Sequence, residues 1–374
     1  MEAGTDPQGA HVALAGRVPP AELVAALRAL APAAASLAHA PAGVLRIVAD
    51  YARYDLLYWF RADGAYDSDL HGFGAASGPR PGSLSDARAP AEWRHLTPAP
   101  VQRRAFVVAE CAGSVYTSGG IIADRSVGCD MERYDIASDT WAALAPMPLA
   151  RFDHAAVACG SAIYVLGGRI SNGAEVSLVA RASCDLYSIA ENTWSAMPSM
   201  SAPRTCHTAT AVDACIYAFG GVRGVGCRPW ASGERFDTVA ATWSPTAPMP
   251  TPRYKHRAVR TDADMGAAWG MEAEPSVLVC GGGVAKYRDG DTQVFRYRVG
   301  NDTWHAMRWN LPVRYAHLVQ TVDAELIVCG GDRDYDDDAD AVSECWRLAD
   351  ATGAGRWARL PLRPLHALAL ASYA

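Results

Sequence analysis

The sequence has no strong excess of charge of either sign. Its 34 Lys and Arg against 40 Asp and Glu leave a formal net charge of −6, with both signs interspersed along the chain. That balance offers no electrostatic footprint for nucleic acid or for an anionic membrane. Long apolar runs are missing too, and nothing approaches the ~18 residues of a membrane span. The first ten residues, MEAGTDPQGA, are acidic and polar, without the basic and apolar regions of a secretory signal. None of the ten cysteines forms a C-x-x-C pair, so the usual zinc and thioredoxin signatures are absent. A chain of this length needs no covalent staples, and reduced, buried thiols in a cytoplasmic or nuclear setting are expected. Nucleophile elbow, H-E-x-x-H, P-loop and dinucleotide fingerprint are all lacking.

What is present is a 50% hydrophobic composition, enough for a sizeable core, with 33 Gly and 23 Pro that suit a fold with many turns. These residues recur in register. A Trp after a polar pair stands at Trp141, Trp194, Trp243 and Trp304, and more loosely at Trp357, in steps of 53, 49, 61 and 53 residues. A Gly pair keeps pace at Gly119-Gly120, Gly167-Gly168, Gly220-Gly221, Gly281-Gly282 and Gly330-Gly331, each after a short apolar strand. Arg103, Arg151, Arg204 and Arg314 lie 16 residues before the first Gly of a pair; Arg253 lies 28 before, which implies a 12-residue insertion within Thr261 to Pro275. His154, His207, His256 and His317 follow their arginines by three positions, with Phe106 in the first unit. An aromatic strand, such as Glu132-Arg133-Tyr134-Asp135, falls between each of the first four Gly pairs and the following Trp.

A period of about 50 residues with four short strands per unit predicts a propeller blade. The chain resembles the kelch family, and Met131 to Gly168 matches the kelch motif almost throughout, including the Ala-Pro-Met-Pro after the Trp. The resemblance covers about residues 93–371. It implies an all-β, six-bladed kelch β-propeller. The blades are expected at about 103–145, 151–198, 204–248, 253–308 and 314–361, with a composite blade from 55–96 plus 363–372. There, Leu56–Phe60 would be the second strand and Ala91–Leu96 the outermost, with a long Gly/Pro/Ser-rich loop from His71 to Pro90. The ring is then closed by strands from both termini, since an unclosed ring leaves a bare sheet edge. Glycines permit close backbone approach, the aromatics fill the space between blades, and the repeated His is read as a packing residue.

Residues 1–52 do not fit the repeat. Pro19–Leu30 and Pro41–Tyr51 have apolar positions at helical spacing, with Pro at the start. The pair is similar in outline to a degenerate F-box; a helical cap or partly ordered tail is the preferred expectation. The BTB and BACK domains of kelch-like ubiquitin-ligase adaptors would need far more chain than this.

The resemblance implies a protein-interaction module, binding a partner protein or peptide on the loop face around the central channel. On that face the sequence places Arg151, Asp153, Arg169, Arg204, Arg253, Lys255 and Arg314. Kelch-like adaptors capture acidic peptides with such arginines, by charge-assisted hydrogen bonds. Two readings of the repeated arginines stay open: ligand contact, or bracing of their own blade. Arg169, outside the repeat, is the more telling candidate. The acidic loop Asp332 to Asp340, with Asp332, Asp334 and Tyr335, lies on the same face. Its Asp332, Asp334 and Asp336 imitate the start of a calcium loop. It lacks Gly at the sixth position, however, and Glu344 falls at the thirteenth rather than the twelfth. A solvated loop or a docking site for a basic partner is read ahead of a cation site. Substrate receptor of a cullin-type ubiquitin ligase is the leading role, and actin-type or scaffold binding the alternative. Kelch-fold enzymes, among them a sugar epimerase, a copper oxidase and iron-dependent specifier proteins, supply a second alternative. The iron pattern Glu-x-x-x-Asp-x-x-x-His is not found, and no cofactor, metal or catalytic residue is expected.

Overall fold

In the computed structural model of the chain, each repeat unit is built on one antiparallel sheet, and two small sheets, Arg103–Arg104 with Ile121–Ile122 and Arg151–Phe152 with Arg169–Ser171 and Val176–Ala180, join strands outside the blades. Residues 57–60, 70–75 and 91–95 are described and, from 97 to 359, all but 98, 102, 123–125, 137, 172–175, 225–227, 285–290, 313–317, 323–324, 330–344 and 352–354. The expected helices within 1–52, the closing strand 363–372, Arg314, His317, Gly330, Gly331 and the acidic loop with Asp332, Asp334 and Tyr335 lie outside the described residues. The described residues belong to one compact unit, Asp55–Ala374.

Five sheets have four strands each, joined in sequence order. The second sheet runs through Val107–Cys111, Ser114–Ser118, Met131–Asp135 and Thr140–Ala143. The third uses Ala155–Cys159, Ala162–Leu166, Cys184–Ser188 and Thr193–Met197. The fourth uses Thr208–Val212, Cys215–Phe219, Gly233–Asp237 and Thr242–Thr246. The fifth uses Arg257–Thr261, Ser276–Cys280, Gln293–Arg298 and Thr303–Asn310. The sixth uses Leu318–Val322, Glu325–Cys329, Cys345–Asp350 and Arg356–Arg359. Their innermost strands lie side by side in that order, which makes the array a propeller.

The first sheet has three described strands, Leu57–Phe60, Leu70–Ala75 and Ala91–His95. The described propeller therefore has five complete blades rather than the expected six. The middle strand corrects the sequence reading, in which the loop began at His71: LHGFGA pairs on both sides despite its two glycines. The expected insertion is present as a short helix, α1 (Ala263–Ala268), between the first two strands of the fifth sheet.

Between the blades the core is apolar, with Tyr164, Leu166, Met200, Ile216 and Phe236 filling the third-to-fourth junction. A repeated polar latch ties each blade to the one before. The indole N–H of Trp141, Trp194, Trp243, Trp304 and Trp357 donates to the carbonyl of Thr97, Ala145, Pro198, Ala247 and Asn310, respectively, at 2.8–2.9 Å. Two residues before the Trp, Asn192 stands at φ +54° and accepts both the Tyr187 hydroxyl (2.7 Å) and the Ala145 N–H of the preceding blade (2.8 Å). Asp302 does the same with Tyr297 and Ala247, and Asp139 with Tyr134 and Thr97. The fourth sheet keeps the Trp243 bond but drops this second set of contacts as a unit. Ala241 replaces the acceptor, Phe236 lacks the hydroxyl, and Pro198 has no N–H to donate. Losing all three together leaves no buried donor orphaned, whereas losing one would. The Thr97 contacts also fix the Trp-bearing first sheet in register with the ring.

Candidate functional site

The loops joining blade to blade and those after the Gly pairs are hydrogen-bonded to one another. The N–H groups of Gly120, Gly168 and Gly221 donate to the carbonyls of Arg151, Arg204 and Arg253 of the next blade, and Thr205 and Val222 exchange both their bonds. The sequence reading joined these two sets of loops on one face, and the bonds bring them together.

The repeated arginines do not point out of that face. Arg103, Arg151, Arg204 and Arg253 are only 0–3% exposed. Each guanidinium reaches the carbonyl of the first Gly of its own unit, Gly119, Gly167, Gly220 or Gly281, at 2.8–3.3 Å. Each also pairs with a carboxylate. Arg103 takes Glu132 at 2.8 Å, Arg204 takes Glu234 at 3.0 Å, Arg253 takes Asp291 at 2.5 Å, and Arg151 takes Asp185. Burial pulls the Arg151, Arg204 and Arg253 guanidinium groups below the usual arginine value, while the paired carboxylates pull the other way. Of the two readings left open for these positions, the contacts describe bracing.

The Gly pairs fit the same arrangement. A Cβ on Gly167 (φ +61°) would lie 2.4 Å from the Arg204 carbonyl oxygen and 2.8 Å from the His207 ring. One on Gly168 (φ +83°) would lie 2.6 Å from His154 Cβ. His154, His207 and His256 are buried in consequence. The Ser118 hydroxyl bonds His154 at 3.1 Å and the Thr208 hydroxyl bonds His256 at 3.0 Å. In the register of His207 those two positions hold Leu166 and Ala155, and neither ring nitrogen finds a partner. Burial, then the Arg204 charge, pushes His207 down to about 3; burial, then Arg151, holds His154 well below the usual histidine range. These rings are neutral packing groups. Among the described residues no group of three His, Cys, Asp or Glu side chains could hold a metal ion.

Asp153 and Lys255 belong to a backbone belt. Ala105, Asp153, Cys206 and Lys255 all adopt φ of 50–54°. The N–H of Asp153, Cys206 and Lys255 donates to the carbonyl of the preceding member at 2.9–3.1 Å, linking four successive blades. The Asp153 carboxylate pairs with Arg169, whose guanidinium also lies 4.5 Å from the Phe152 ring centroid. Arg169 is thus paired within the protein, although its Nε has no acceptor among the described residues.

Among the described residues of these loops, the cations that remain exposed are ones the sequence reading passed over. Arg181, Arg223 and Arg228 lie on the loops after the Gly pairs of the third and fourth sheets. Among the described residues none makes an ion pair, and the two loops touch where Ala180 N–H donates to the Arg223 carbonyl (2.9 Å). The Arg181 backbone bonds Gly168 and Arg204, so its position is fixed by the blade. The signal available in the sequence was that these arginines fall outside the repeat, while the acids at the shared register position, Asp185 and Glu234 in these two units, are taken by Arg151 and Arg204.

Among the described residues, no helix is long and apolar enough to cross a membrane. Cys111, Cys129, Cys159, Cys184, Cys206, Cys215 and Cys280 carry free thiols.

No curated protein matches the chain. Among solved structures, that of YjhT matches over 81% of this chain and 94% of its own, at 14% identity and a TM-score of 0.62, a likeness of fold. The sequence profile of the KLHDC2/KLHL20/DRC7 Kelch-repeats domain matches residues 105–331, more than half of the chain. With the Gly pairs, braced arginines and Trp latches of a kelch propeller in place, the chain belongs to this kelch-repeat family.

Proposed function

We propose that the protein is an interaction module whose loop face binds an acidic segment of a partner protein through Arg181, Arg223 and Arg228. The observation that carries this reading is the contrast between two sets of arginines. Those of the repeat are buried and paired, while these three are exposed, unpaired and set on rigidly tethered loops. Unpaired guanidinium groups favour carboxylates, which accept two N–H bonds each. The reading is non-enzymatic. The polar side chains that recur with the repeat, Arg151, Arg204, His154 and His207, are interior and committed to packing.

The test is affinity capture by the full chain, comparing wild type with an Arg181→Glu, Arg223→Glu, Arg228→Glu variant of unchanged melting temperature. A partner that is retained by wild type, released by salt and lost on charge reversal supports the reading. A partner that is bound equally by both forms refutes it. The finer role, receptor for a cullin-type ubiquitin ligase, adds a recruiting element at 1–52. Co-purification of a cullin or a Skp1-type adaptor, lost on deleting 1–52, supports that role; absence from both samples favours the scaffold or actin-type alternative.

A further inference from the structure

The loop ends of the third and fourth sheets carry positive charge that the described residues do not neutralise. Arg181, Arg223 and Arg228 are exposed there. The carboxylates that these blades turn toward the loops are already taken, Asp153 by Arg169, Asp185 by Arg151 and Glu234 by Arg204. From Val222 to Ser232 the sequence holds two arginines and no acid.

The backbone brings the three arginines together. Arg181 follows Ala180, whose N–H donates to the Arg223 carbonyl at 2.9 Å, so the two arginines stand on neighbouring segments about one strand spacing, roughly 5 Å, apart. The loop beyond Arg223 returns to the blade where the Trp230 N–H donates to the Gly221 carbonyl at 2.9 Å. Arg223 lies two residues after Gly221 and Arg228 two residues before Trp230, so they stand on the two arms of one closed loop. Both segments are held by the blades. Arg181 donates to the Gly168 carbonyl at 2.8 Å and accepts from the Arg204 N–H at 3.0 Å, and Val222 exchanges both its bonds with Thr205. A ligand there would not have to order the backbone that presents the pair.

The Arg181–Arg223 pair sets the charge that suits it. A carboxylate brings one negative charge and neutralises one of the two. A phosphoryl group brings nearly two near neutral pH, with three acceptor oxygens that guanidinium groups meet bidentately. It matches the pair in charge and in acceptors at once.

We propose that the acidic segment bound at the loop face, a reading on which this inference rests, carries a phosphorylated serine or threonine. Its phosphoryl group is held between Arg181 and Arg223, and Arg228 takes a neighbouring carboxylate. Phosphorylation of the partner then switches binding on.

The test is NMR of the full chain with labelled arginine side chains, the three signals being assigned from the single alanine variants. The probes are two peptides, Glu-Glu-Xaa-Glu-Glu with phosphoserine or glutamate at the centre, and inorganic phosphate. The phosphoserine peptide should bind about tenfold more tightly than the glutamate peptide, the scale of one further charge-assisted bond. That preference should vanish in Arg181→Ala and in Arg223→Ala and persist in Arg228→Ala. Equal affinity for the two peptides at these arginines overturns the phosphoryl assignment and leaves the acidic-segment reading standing. A preference that survives Arg181→Ala and Arg223→Ala overturns it as well, and so does inorganic phosphate binding as tightly as the phosphoserine peptide, which would reduce the site to one for a free anion. No shift of any of the three signals with either peptide overturns the acidic-segment reading together with this one.

Discussion

Replacing Arg204 by Met would remove the brace of the fourth blade while keeping the apolar stem. The guanidinium donates to the Gly220 and Ser232 carbonyls, each at 2.9 Å, to the Ser232 hydroxyl at 3.1 Å and to the Glu234 carboxylate at 3.0 Å. Without it, Glu234, 4% exposed, keeps only the Ser201 N–H at 2.7 Å. Breaking a buried pair from one side costs about 3–5 kcal/mol, because the remaining charge stays buried. At about 2 °C per kcal/mol, the lower end for large domains, the melting temperature should fall by about 6–10 °C. Calorimetry of the full chain measures this. The double variant Arg204→Met, Glu234→Leu removes both charges and should recover most of the loss. Arg223→Ala, at an exposed and unpaired position, should stay within about 0.5 kcal/mol of wild type. An Arg204→Met protein that melts like wild type but no longer captures its partner would refute the bracing assignment and return the repeat arginines to the binding face.

Asn192→Ala should cost about 1–3 kcal/mol by denaturant unfolding, since it strips the acceptor from Tyr187 and Ala145 and leaves Ala at a positive φ. Ala241→Asn should gain less than Asn192→Ala loses, because Phe236 and Pro198 offer that acceptor no donor. Stability should also fall with acid through the buried imidazoles. An unfolded histidine titrates near 6.5, whereas folded His154 stays neutral far below that and His207 down to about 3. The unfolded state therefore takes up protons first. Their contribution is complete above about pH 6.5 and shrinks as pH falls toward 3, by at most about 1.4 kcal/mol per pH unit for each ring. His207→Leu should flatten that slope in urea titrations between pH 6.5 and 4.5 at little cost at neutral pH, its ring having no hydrogen bond to lose.

The ring was legible in the sequence because its parts repeat. Gly pair, Trp and Arg each recur at a fixed offset, so one unit interprets the next, and even the insertion before Ser276 showed as a lengthened Arg253-to-Gly281 step. The strand Leu70–Ala75 was not legible, because its two glycines and the Gly/Pro/Ser-rich stretch after it look like a loop until its neighbours pair with it. The direction of the arginines was equally hidden, for spacing alone cannot say whether a side chain turns inward. Glu132, Asp185 and Glu234, each second in its strand, were the available sign. In the fifth unit Val294 takes that place and the acid comes instead from Asp291 in the preceding loop, which no repeat position would have shown. Arg181, Arg223 and Arg228 escaped notice for the opposite reason, since nothing about them recurs.

The measurement that bears most directly on the binding face is hydrogen–deuterium exchange of the full chain with and without its captured partner. Protection is predicted in the tethered loops that carry Arg181, Arg223 and Arg228, spanning about residues 176–183 and 220–230, with the outer Trp-bearing strands of the same sheets unchanged. Protection confined to those outer strands, with the loops exchanging as in the free protein, would contradict it.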